Sequence, residues 1–123
     1  MLDASALLAM LHGEPGSDAV EAQIGRAVMS SVNWSEVVQK SLARGADVEG
    51  MREDAEAIGL AIVAFDADEA EAAARLWPAT KEAGLSLGDR ACIALAHRLD
   101  LPALTADKTW GELTIDVRIQ VIR

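Results

Sequence analysis

The stretch LGDRACIALAHRLDLPALTAD, residues 87–107, decides the fold of this chain. Its first part, residues 87–100, predicts a helix with an acid in the first turn and a nearly continuous run of small and aliphatic residues after it. Its second part, residues 101–107, predicts a strand that ends at Asp107. A helix that leads directly into a strand is typical of proteins in which helices cover a mostly parallel sheet.

The same alternation of helix and strand patterns runs through the rest of the chain. Apolar runs predict further strands at residues 1–3, 27–32, 60–65 and 115–123. Helical spacing predicts helices at residues 5–12, 17–26, 33–45, 47–59 and 66–77. The expected N-caps are Ser17, either Asn33 or Ser35, and Asp66. We therefore predict an α/β three-layer sandwich with a central, mostly parallel sheet of about four to five strands flanked by helices.

The composition limits the class of protein. A length of 123 residues favours one domain, residues 1–123, and 51% hydrophobic with 25% charged residues is ordinary for a globular chain. No apolar stretch approaches the ~18 residues of a membrane span, and no basic segment precedes an apolar one as in a signal peptide. Cys92 is the only cysteine, which excludes an intrachain disulfide and a cysteine metal cluster. We therefore expect a cytoplasmic protein.

The formal net charge is −9, from 11 basic and 20 acidic residues. This balance disfavours a bulk electrostatic attraction to nucleic acid, which comes from Lys and Arg at the phosphates. It does not exclude a nuclease, because acidic side chains can bind cations that then face the phosphate. An acidic surface would also attract a partner with a basic segment.

Four acids are expected at one edge of this sheet. Asp3 follows the first strand, and Glu36 lies in the first turn of the helix after the second strand. Asp89 lies in the first turn of the most apolar helix, and Asp107 ends the strand that follows that helix. Because ligands of parallel sheets bind beyond the carboxyl ends of the strands, these carboxylates are expected to converge there, with Asp89 joining if its helix starts at that edge.

Each acid alone also has a purely structural interpretation. Asp3 suits a helix cap, acids such as Glu36 and Asp89 suit helix starts, and Asp107 suits a turn. Together, however, four carboxylates would repel one another unless some stay protonated or a cation neutralises them. The expected cation is Mg²⁺ or Mn²⁺, which prefer hard oxygen ligands. A metal held in this way lowers the pKa of a bound water and holds a phosphodiester for attack.

The order of these motifs resembles the PIN domains that act as toxins in VapBC-type toxin–antitoxin pairs. The four motifs of that family match LDASALLAML (residues 2–11), SSVNWSEVV (30–38), LSLGDRACIALA (85–96) and LPALTADKTW (101–110). The resemblance covers essentially the whole chain, and its third and fourth motifs are the most specific. It implies a PIN-like fold and a Mg²⁺- or Mn²⁺-dependent endoribonuclease.

The resemblance also implies roles for individual residues and partners. The acidic quartet would consist of Asp3, Glu36, Asp89 and Asp107. Ser5 and Thr105 match the hydroxyl residues that accompany the first and fourth acids. We hypothesise that Asp3, Asp89 and Asp107 hold the metal, while Glu36 positions the attacking water or a second metal. The implied partners are an RNA substrate, a second copy of the chain in a homodimer, and a cognate VapB-type antitoxin whose basic tail enters the acidic site.

Two positions depart from the family's pattern. Only Met1 and Leu2 precede Asp3, so either the first strand is minimal or the true start of the chain lies upstream. Trp110 stands three residues after Asp107, where relatives often carry another polar or acidic residue, so a fifth ligand is not expected there.

Other residues have competing interpretations. His97 lies two turns after Asp89 and is either a general base or, as we favour, a solvated or capping histidine. An exposed tryptophan could stack on RNA bases, but packing beneath the site suits Trp34 and Trp110 equally well. The apolar helical residues at 5–12 and 38–42 are candidates for a dimer or antitoxin surface, with core packing as the alternative.

Three rival functions remain open from the residues. A haloacid-dehalogenase-like phosphatase needs a second aspartate two residues after the first, where Ser5 stands. A signalling receiver domain needs an acidic pair after the first strand, and Asp3 has no acidic neighbour. A non-catalytic PIN-like module that binds RNA or protein would keep the acids without cleaving RNA, so a cleavage assay would distinguish it.

Overall fold

The computed structural model describes residues 1–123 as four short strands, seven α-helices and two 3₁₀ helices. The strands are β1 (Val28–Ser30), β2 (Ala61–Val63), β3 (Ala103–Thr105) and β4 (Ile119–Val121). The α-helices are α1 (Ala4–Leu11), α2 (Ser17–Glu21), α3 (Ser31–Ala43), α4 (Met51–Ala57), α5 (Ala67–Arg75), α6 (Trp77–Thr80) and α7 (Leu87–Leu99). The 3₁₀ helices are Ile24–Arg26 and Lys108–Glu112. Not one of these helices combines the length and the apolarity that a membrane crossing requires.

The sheet consists of two parallel strand pairs that the N-terminal residues join. Strand β1 pairs with β2, and β3 pairs with β4, in both cases in parallel. Leu2 forms a parallel bridge with Leu104 in β3, and its amide donates a 2.9 Å hydrogen bond to the carbonyl of Val28 in β1. The expected first strand therefore exists as a single bridging residue at the centre, which gives the order β2–β1–Leu2–β3–β4. The predicted mostly parallel α/β sheet is confirmed.

Two hydrophobic clusters cover opposite faces of this sheet. Leu2 and Leu104 belong to one cluster, and their sequence neighbours Met1 and Ala103 belong to the other. Because successive side chains of a strand point to opposite faces, this division places a core on each side of the sheet. Helix α1 packs on the first side, and the apolar residues of α7 pack on the second. The sheet with its two helical layers is the predicted three-layer sandwich.

Several predicted boundaries were wrong because local capping differs from the expectation. Helix α3 begins at Ser31, since the Ser30 hydroxyl caps it by accepting from the Val32 amide at 3.3 Å. Neither Asn33 nor Ser35 is the cap, and Glu36 lies in the second turn rather than the first. The expected cap Asp66 of α5 is confirmed, because its carboxylate accepts from the amide of Glu69.

Two other expected elements are shorter than the sequence pattern indicated. The predicted helix 17–26 splits into α2 and a 3₁₀ helix, and Gly16 rather than Ser17 stands at its N-cap with a left-handed φ of 94°. Strand β3 ends at Thr105, so Asp107 lies two residues beyond it and caps the 3₁₀ helix that follows. The remaining predicted strands are likewise reduced to three residues each, while their places in the sheet hold.

Candidate active site

Asp3 is a buried carboxylate at the carboxyl end of the central bridge and at the start of α1. It is only 4% exposed, yet both of its oxygens have protein donors. Oδ1 accepts from the Ser5 hydroxyl at 2.7 Å and from the Ala6 amide at 2.8 Å, and Oδ2 accepts from the Thr105 hydroxyl at 2.5 Å. Burial raises the pKa of Asp3, these hydrogen bonds oppose the rise, and repulsion from Asp89 adds to it.

The two hydroxyl residues connect Asp3 to the loop that carries Asp107. The Ser5 oxygen accepts from the Ala106 amide at 2.9 Å, and the Thr105 oxygen accepts from the Asp107 amide at 3.0 Å. Each hydroxyl therefore donates a hydrogen bond to Asp3 and accepts one from a backbone amide that follows β3. This pair of bridges fixes the orientation of the Asp3 carboxylate relative to the end of β3.

Glu36 reaches from the second turn of α3 to the first turn of α7. Its carboxylate lies directly over Gly88, where an added Cβ would stand 1.6 Å from the Glu36 Oε1. Only glycine leaves room for the carboxylate in this position. Burial raises the pKa of Glu36, as does repulsion from Asp89 and, to a smaller extent, from Asp3, while Lys40 lowers it. Like charges thus raise the pKa values of Asp3 and Glu36 at this edge.

Asp89 is fixed by a capping box at the start of α7. Its Oδ2 accepts from the Ser86 amide at 2.9 Å, while the Ser86 hydroxyl accepts from the Asp89 amide at 3.2 Å. The first-turn position expected for Asp89 is therefore the one observed, and α7 begins at the edge where Asp3 lies. We call the group Asp3, Glu36 and Asp89 the acidic edge.

Asp107 is connected to the acidic edge but its carboxylate is engaged elsewhere. It is exposed, and its Oδ1 accepts from both the amide and the hydroxyl of Thr109, at 2.9 and 2.8 Å. Its connection to Asp3 runs through the Thr105 hydroxyl. Across the whole chain, no group of three or more His, Cys, Asp or Glu side chains stands in an arrangement that could hold a metal.

The donor chemistry of the acidic edge nevertheless fits a small divalent cation. The available groups are carboxylate oxygens, which are the ligands that Mg²⁺ and Mn²⁺ prefer. Three features are typical of metal-ligand carboxylates: Asp3 is oriented by hydroxyl donors, Glu36 occupies a cradle that a Cβ would fill, and Asp89 is held by its cap. A bound cation would reverse the mutual repulsion that raises the pKa values here.

One contributor to this edge was not foreseen from the sequence. Asn33 is 1% exposed, and its side-chain amide donates a 2.9 Å hydrogen bond to the Gly88 carbonyl. This bond ties α3, which carries Glu36, to the residue that precedes Asp89. The available signal was the i,i+3 spacing of Asn33 and Glu36, which places both on one face of a helix. The sequence interpretation used Asn33 only as a possible cap.

Residues with competing interpretations lie away from the acidic edge or beneath it. Trp110 is fully buried in the core cluster of α7, so it packs rather than stacks on a ligand. Cys92 is fully buried one turn after Asp89, and burial raises its pKa well above the ordinary value. His97 lies in the last turn of α7, at the opposite edge of the sheet, with its Nε2 3.6 Å from a carboxylate oxygen of Asp116. His97 lies two turns along α7 from Asp89, and this separation argues against His97 as a general base.

Comparisons with known proteins agree with the fold. A family model described as PIN domain matches residues 1–115. Among solved structures, a toxin–antitoxin complex from Klebsiella pneumoniae is similar, with a TM-score of 0.70 and 23% sequence identity over 89% of this chain and 88% of that chain. At that identity the likeness shows the fold alone. No curated protein matches the chain.

Proposed function

Because the chain belongs to the PIN-domain family, we propose that it is a metal-dependent endoribonuclease that acts as the toxin of a toxin–antitoxin pair. PIN domains are generally nucleases that use divalent metal ions, which supports a hydrolase acting on phosphodiester bonds. The single observation that carries the proposal is the buried Asp3, whose carboxylate accepts three hydrogen bonds, beside Glu36 and Asp89. Asp3 caps α1, but capping alone does not account for a carboxylate buried next to two others, because the mutual repulsion costs stability unless a cation offsets it.

The side chains of the acidic edge have distinct proposed roles. Asp3 and Asp89 would hold Mg²⁺ or Mn²⁺, and Asp89 offers its Oδ1, which accepts no hydrogen bond from the protein. Glu36, whose pKa is raised, would orient the attacking water and accept its proton. Asp107 would complete the ligand set after releasing Thr109. When bound, the metal would lower the pKa of a coordinated water and neutralise charge on the phosphate.

Ser5 and Thr105 would act through Asp3 rather than on the substrate. Their hydroxyl protons are donated to the carboxylate, so the lone pair that remains on Oδ2 of Asp3 points in a fixed direction. These hydrogen bonds would keep the Asp3 carboxylate in place as a metal ligand and would spread part of its negative charge onto the two hydroxyl groups.

An apolar groove supports the proposed antitoxin partner. A cavity of about 280 Å³ lies between α1, the start of α3 and α4, and its apolar lining includes Leu7, Met10 and Trp34. Acidic side chains at its rim, among them Asp47 and Asp54, would favour an apolar segment that also carries basic residues. The similar Klebsiella pneumoniae structure is by its name a toxin–antitoxin complex, and this supports a partner of that kind.

The homodimer and the cellular location of the protein remain predictions. For the homodimer implied by the resemblance, Leu11 and Leu42 offer exposed apolar side chains, at 47% and 56% exposure. A light-scattering mass of twice the chain would support it. The cytoplasm stays the expected location of the protein, because an antitoxin-controlled ribonuclease meets its RNA there.

The non-catalytic PIN-like module is the second candidate, and one observation favours it. Asp107 points its carboxylate to Thr109, and no three acids stand ready around a metal. Such a module would bind RNA or protein without hydrolysis. The phosphatase alternative loses its basis, because Ser5 stands where a second aspartate is needed and instead donates to Asp3.

A cleavage assay on total RNA separates these candidates. We expect the wild-type protein to cut RNA with Mg²⁺ or Mn²⁺ and to be silent with EDTA. Asp89→Asn should lower the rate by at least about 10²-fold, because a positioned carboxylate at the reacting centre is removed. The matched control is Asp116→Asn, which makes the same change on a 99% exposed side chain at the opposite edge.

Both variants should fold, since an asparagine oxygen can still accept from the Ser86 amide. Full activity in Asp89→Asn would refute the proposed site. A wild-type protein that binds RNA but never cleaves it would favour the non-catalytic module.

A further inference from the structure

A second cavity borders the acidic edge, and its charge is opposite to that of the molecule as a whole. Its volume is about 400 Å³, and Ser5, Lys40, Arg44 and Arg123 are among its lining residues. The chain carries a net charge of −9, with only 11 basic residues. Three of those basic residues meet here, and we call this space the basic cavity. Core packing does not explain why three basic side chains gather at one place on an acidic protein.

The basic cavity is continuous with the acidic edge through two residues. Ser5 lines the cavity and donates its hydroxyl proton to Asp3 at 2.7 Å. Lys40 follows Glu36 by one turn of α3, and Arg44 follows by another turn. Residues at this spacing lie along one face of a helix, so the cations form a row that starts at the Glu36 carboxylate. A ligand that occupies the acidic edge can therefore extend into the basic cavity.

The cations in the basic cavity are available to a ligand. Lys40 and Arg44 are exposed and form no ion pair with any carboxylate of the chain. Nη1 of Arg44 lies 3.1 Å from Nδ1 of His12, a neutral partner when the imidazole is unprotonated. Glu14 is the one carboxylate in the lining, and its oxygens lie 3.3 Å from the Arg123 guanidinium and 3.4 Å from His12. Thus one oxyanion is already held at the far side, and Lys40 and Arg44 remain free to hold another.

We propose that the basic cavity binds a backbone phosphate of the RNA strand, next to the phosphate that lies at the acidic edge. This inference rests on the proposed ribonuclease function and names residues that hold the substrate outside the reacting centre. Ammonium and guanidinium groups recognise phosphate by charge-assisted hydrogen bonds. The lining contains no Phe, Tyr or Trp, and its one aromatic ring, that of His12, is already in contact with Arg44 and Glu14, so the proposed contact is with the backbone and is independent of base sequence.

The test removes the two free cations and compares them with a matched pair elsewhere. The test variant is Lys40→Ala with Arg44→Ala. The control is Arg75→Ala with Arg118→Ala, which lowers the net charge equally but alters exposed residues that do not line the basic cavity. All four side chains are exposed, so both variants should fold. The charge-preserving variant Lys40→Arg with Arg44→Lys keeps two cations in place.

The first measurement is binding of a fluorescein-labelled, random-sequence, single-stranded RNA 20-mer in Mg²⁺, with Asp89→Asn in every protein to prevent cleavage. Fluorescence anisotropy at several KCl concentrations gives log Kd against log salt. We expect the slope to fall by about 0.7 in the test variant, because one phosphate is neutralised in the basic cavity and each phosphate of a single strand contributes about 0.7. At low salt the affinity should fall about tenfold. The control and the charge-preserving variant should keep the original slope.

The second measurement is cleavage of the same RNA by proteins that keep Asp89. If Arg44 only holds the substrate, Arg44→Ala should raise KM, change kcat by less than about twofold and leave the pH profile of kcat unchanged. The reason is that Arg44 lies two turns from Glu36. A fall in kcat with an unchanged salt slope would mean that these residues act only on the acidic edge, and it would overturn the proposal.

Further results of these two measurements would support or overturn the proposed phosphate site. Equal slopes in the test and control variants would overturn the phosphate site, as would an unchanged RNA affinity combined with weakened binding of the antitoxin. If RNA binding depends on Lys40 and Arg44 but the wild-type protein never cleaves, the basic cavity is supported and the ribonuclease proposal fails. If the protein cleaves RNA with no dependence on these cations, the ribonuclease proposal is supported and the basic cavity fails.

Discussion

The two edges of the sheet both carry cavities and charged side chains, but they hold their charges differently. At the opposite edge, a cavity of about 390 Å³ is lined by His97, Asp116 and Arg118. The carboxylate of Asp116 is 99% exposed, and its one ionic contact is a 3.6 Å approach to His97. At the acidic edge, Asp3 is 4% exposed and accepts three hydrogen bonds from protein donors.

The difference lies in the supporting residues rather than in cavity size or the number of ionisable groups. An exposed ion pair is held only weakly and contributes little. A buried carboxylate is costly, so the chain must supply donors for it, and the acidic edge has them in Ser5 and Thr105. Oriented, partly desolvated carboxylates of this kind are typical of functional sites. Each of the following variants removes one of these supports. The measurements then test whether the acidic edge still binds metal and cleaves RNA.

The largest effect is expected from Gly88→Ala. The new methyl group would stand 1.6 Å from the Glu36 Oε1, so the carboxylate must leave its position over α7. A displaced catalytic group should lower the cleavage rate by about 10²-fold. The fold should hold, because the clash is with the end of a flexible side chain and because alanine is favoured over glycine inside a helix by roughly 0.5–1 kcal/mol.

The control for this variant is Gly25→Ala, where an added Cβ meets nothing within 4 Å. Thermal unfolding and cleavage rates measured on both proteins would separate stability from activity. Unchanged activity in Gly88→Ala would show that the position of Glu36 does not matter.

A smaller effect is expected from Thr105→Val. The substitution keeps the shape of the side chain but removes the hydroxyl that donates to Asp3 and accepts from the Asp107 amide. Loss of such support of a metal ligand should lower Mn²⁺ affinity by about 10–100-fold. Thr80→Val is the matched control, because the fully buried Thr80 hydroxyl bonds only to the Leu76 carbonyl of its own segment. Equal Mn²⁺ affinities in the two variants would contradict a role of Thr105 at the site.

The smallest effect is expected from Asn33→Ala. It removes the hydrogen bond between α3 and the Gly88 carbonyl, which should cost about 1 kcal/mol in the free energy of unfolding. The cleavage rate should fall about tenfold, because Glu36 and Asp89 are then held less rigidly relative to each other. Ser41→Ala serves as control, since it removes a buried hydrogen bond made within α3 alone. Denaturant unfolding together with kcat measures both effects, and equal kcat values would exclude a positioning role.

Much of the fold could be predicted from local patterns. The apolar run of α7 and the cap Asp66 require only helical spacing and a side chain that bonds to the third amide after it. A minimal first strand was one of the two interpretations of the residues before Asp3, and Leu2 alone bridges to Leu104. Strand lengths were overestimated, since apolar residues beside a strand also pack in loops around it.

The candidate site could be predicted only in part, because its supports come from distant parts of the chain. The position of Glu36 was misplaced by one turn, since Ser30 caps α3 where Asn33 or Ser35 also suited the pattern. The fit of Glu36 over Gly88 joins residues far apart in sequence and has no local signature. The same holds for the basic cavity, where Arg44, the C-cap residue of α3, meets His12 after α1.

The most direct test of the central claim is Mn²⁺ binding to the free protein, because it needs no knowledge of the RNA. Isothermal titration of the wild-type protein, Asp3→Asn and Asp116→Asn compares a change at the acidic edge with the same change at the opposite edge. Asp3→Asn removes the buried charge and keeps one oxygen acceptor for Ser5 and Ala6, while its amide group faces the Thr105 hydroxyl, so circular dichroism should accompany the titration to show that the variant is folded. We expect Mn²⁺ binding to be lost in Asp3→Asn and kept in Asp116→Asn. Equal binding by all three proteins would contradict it.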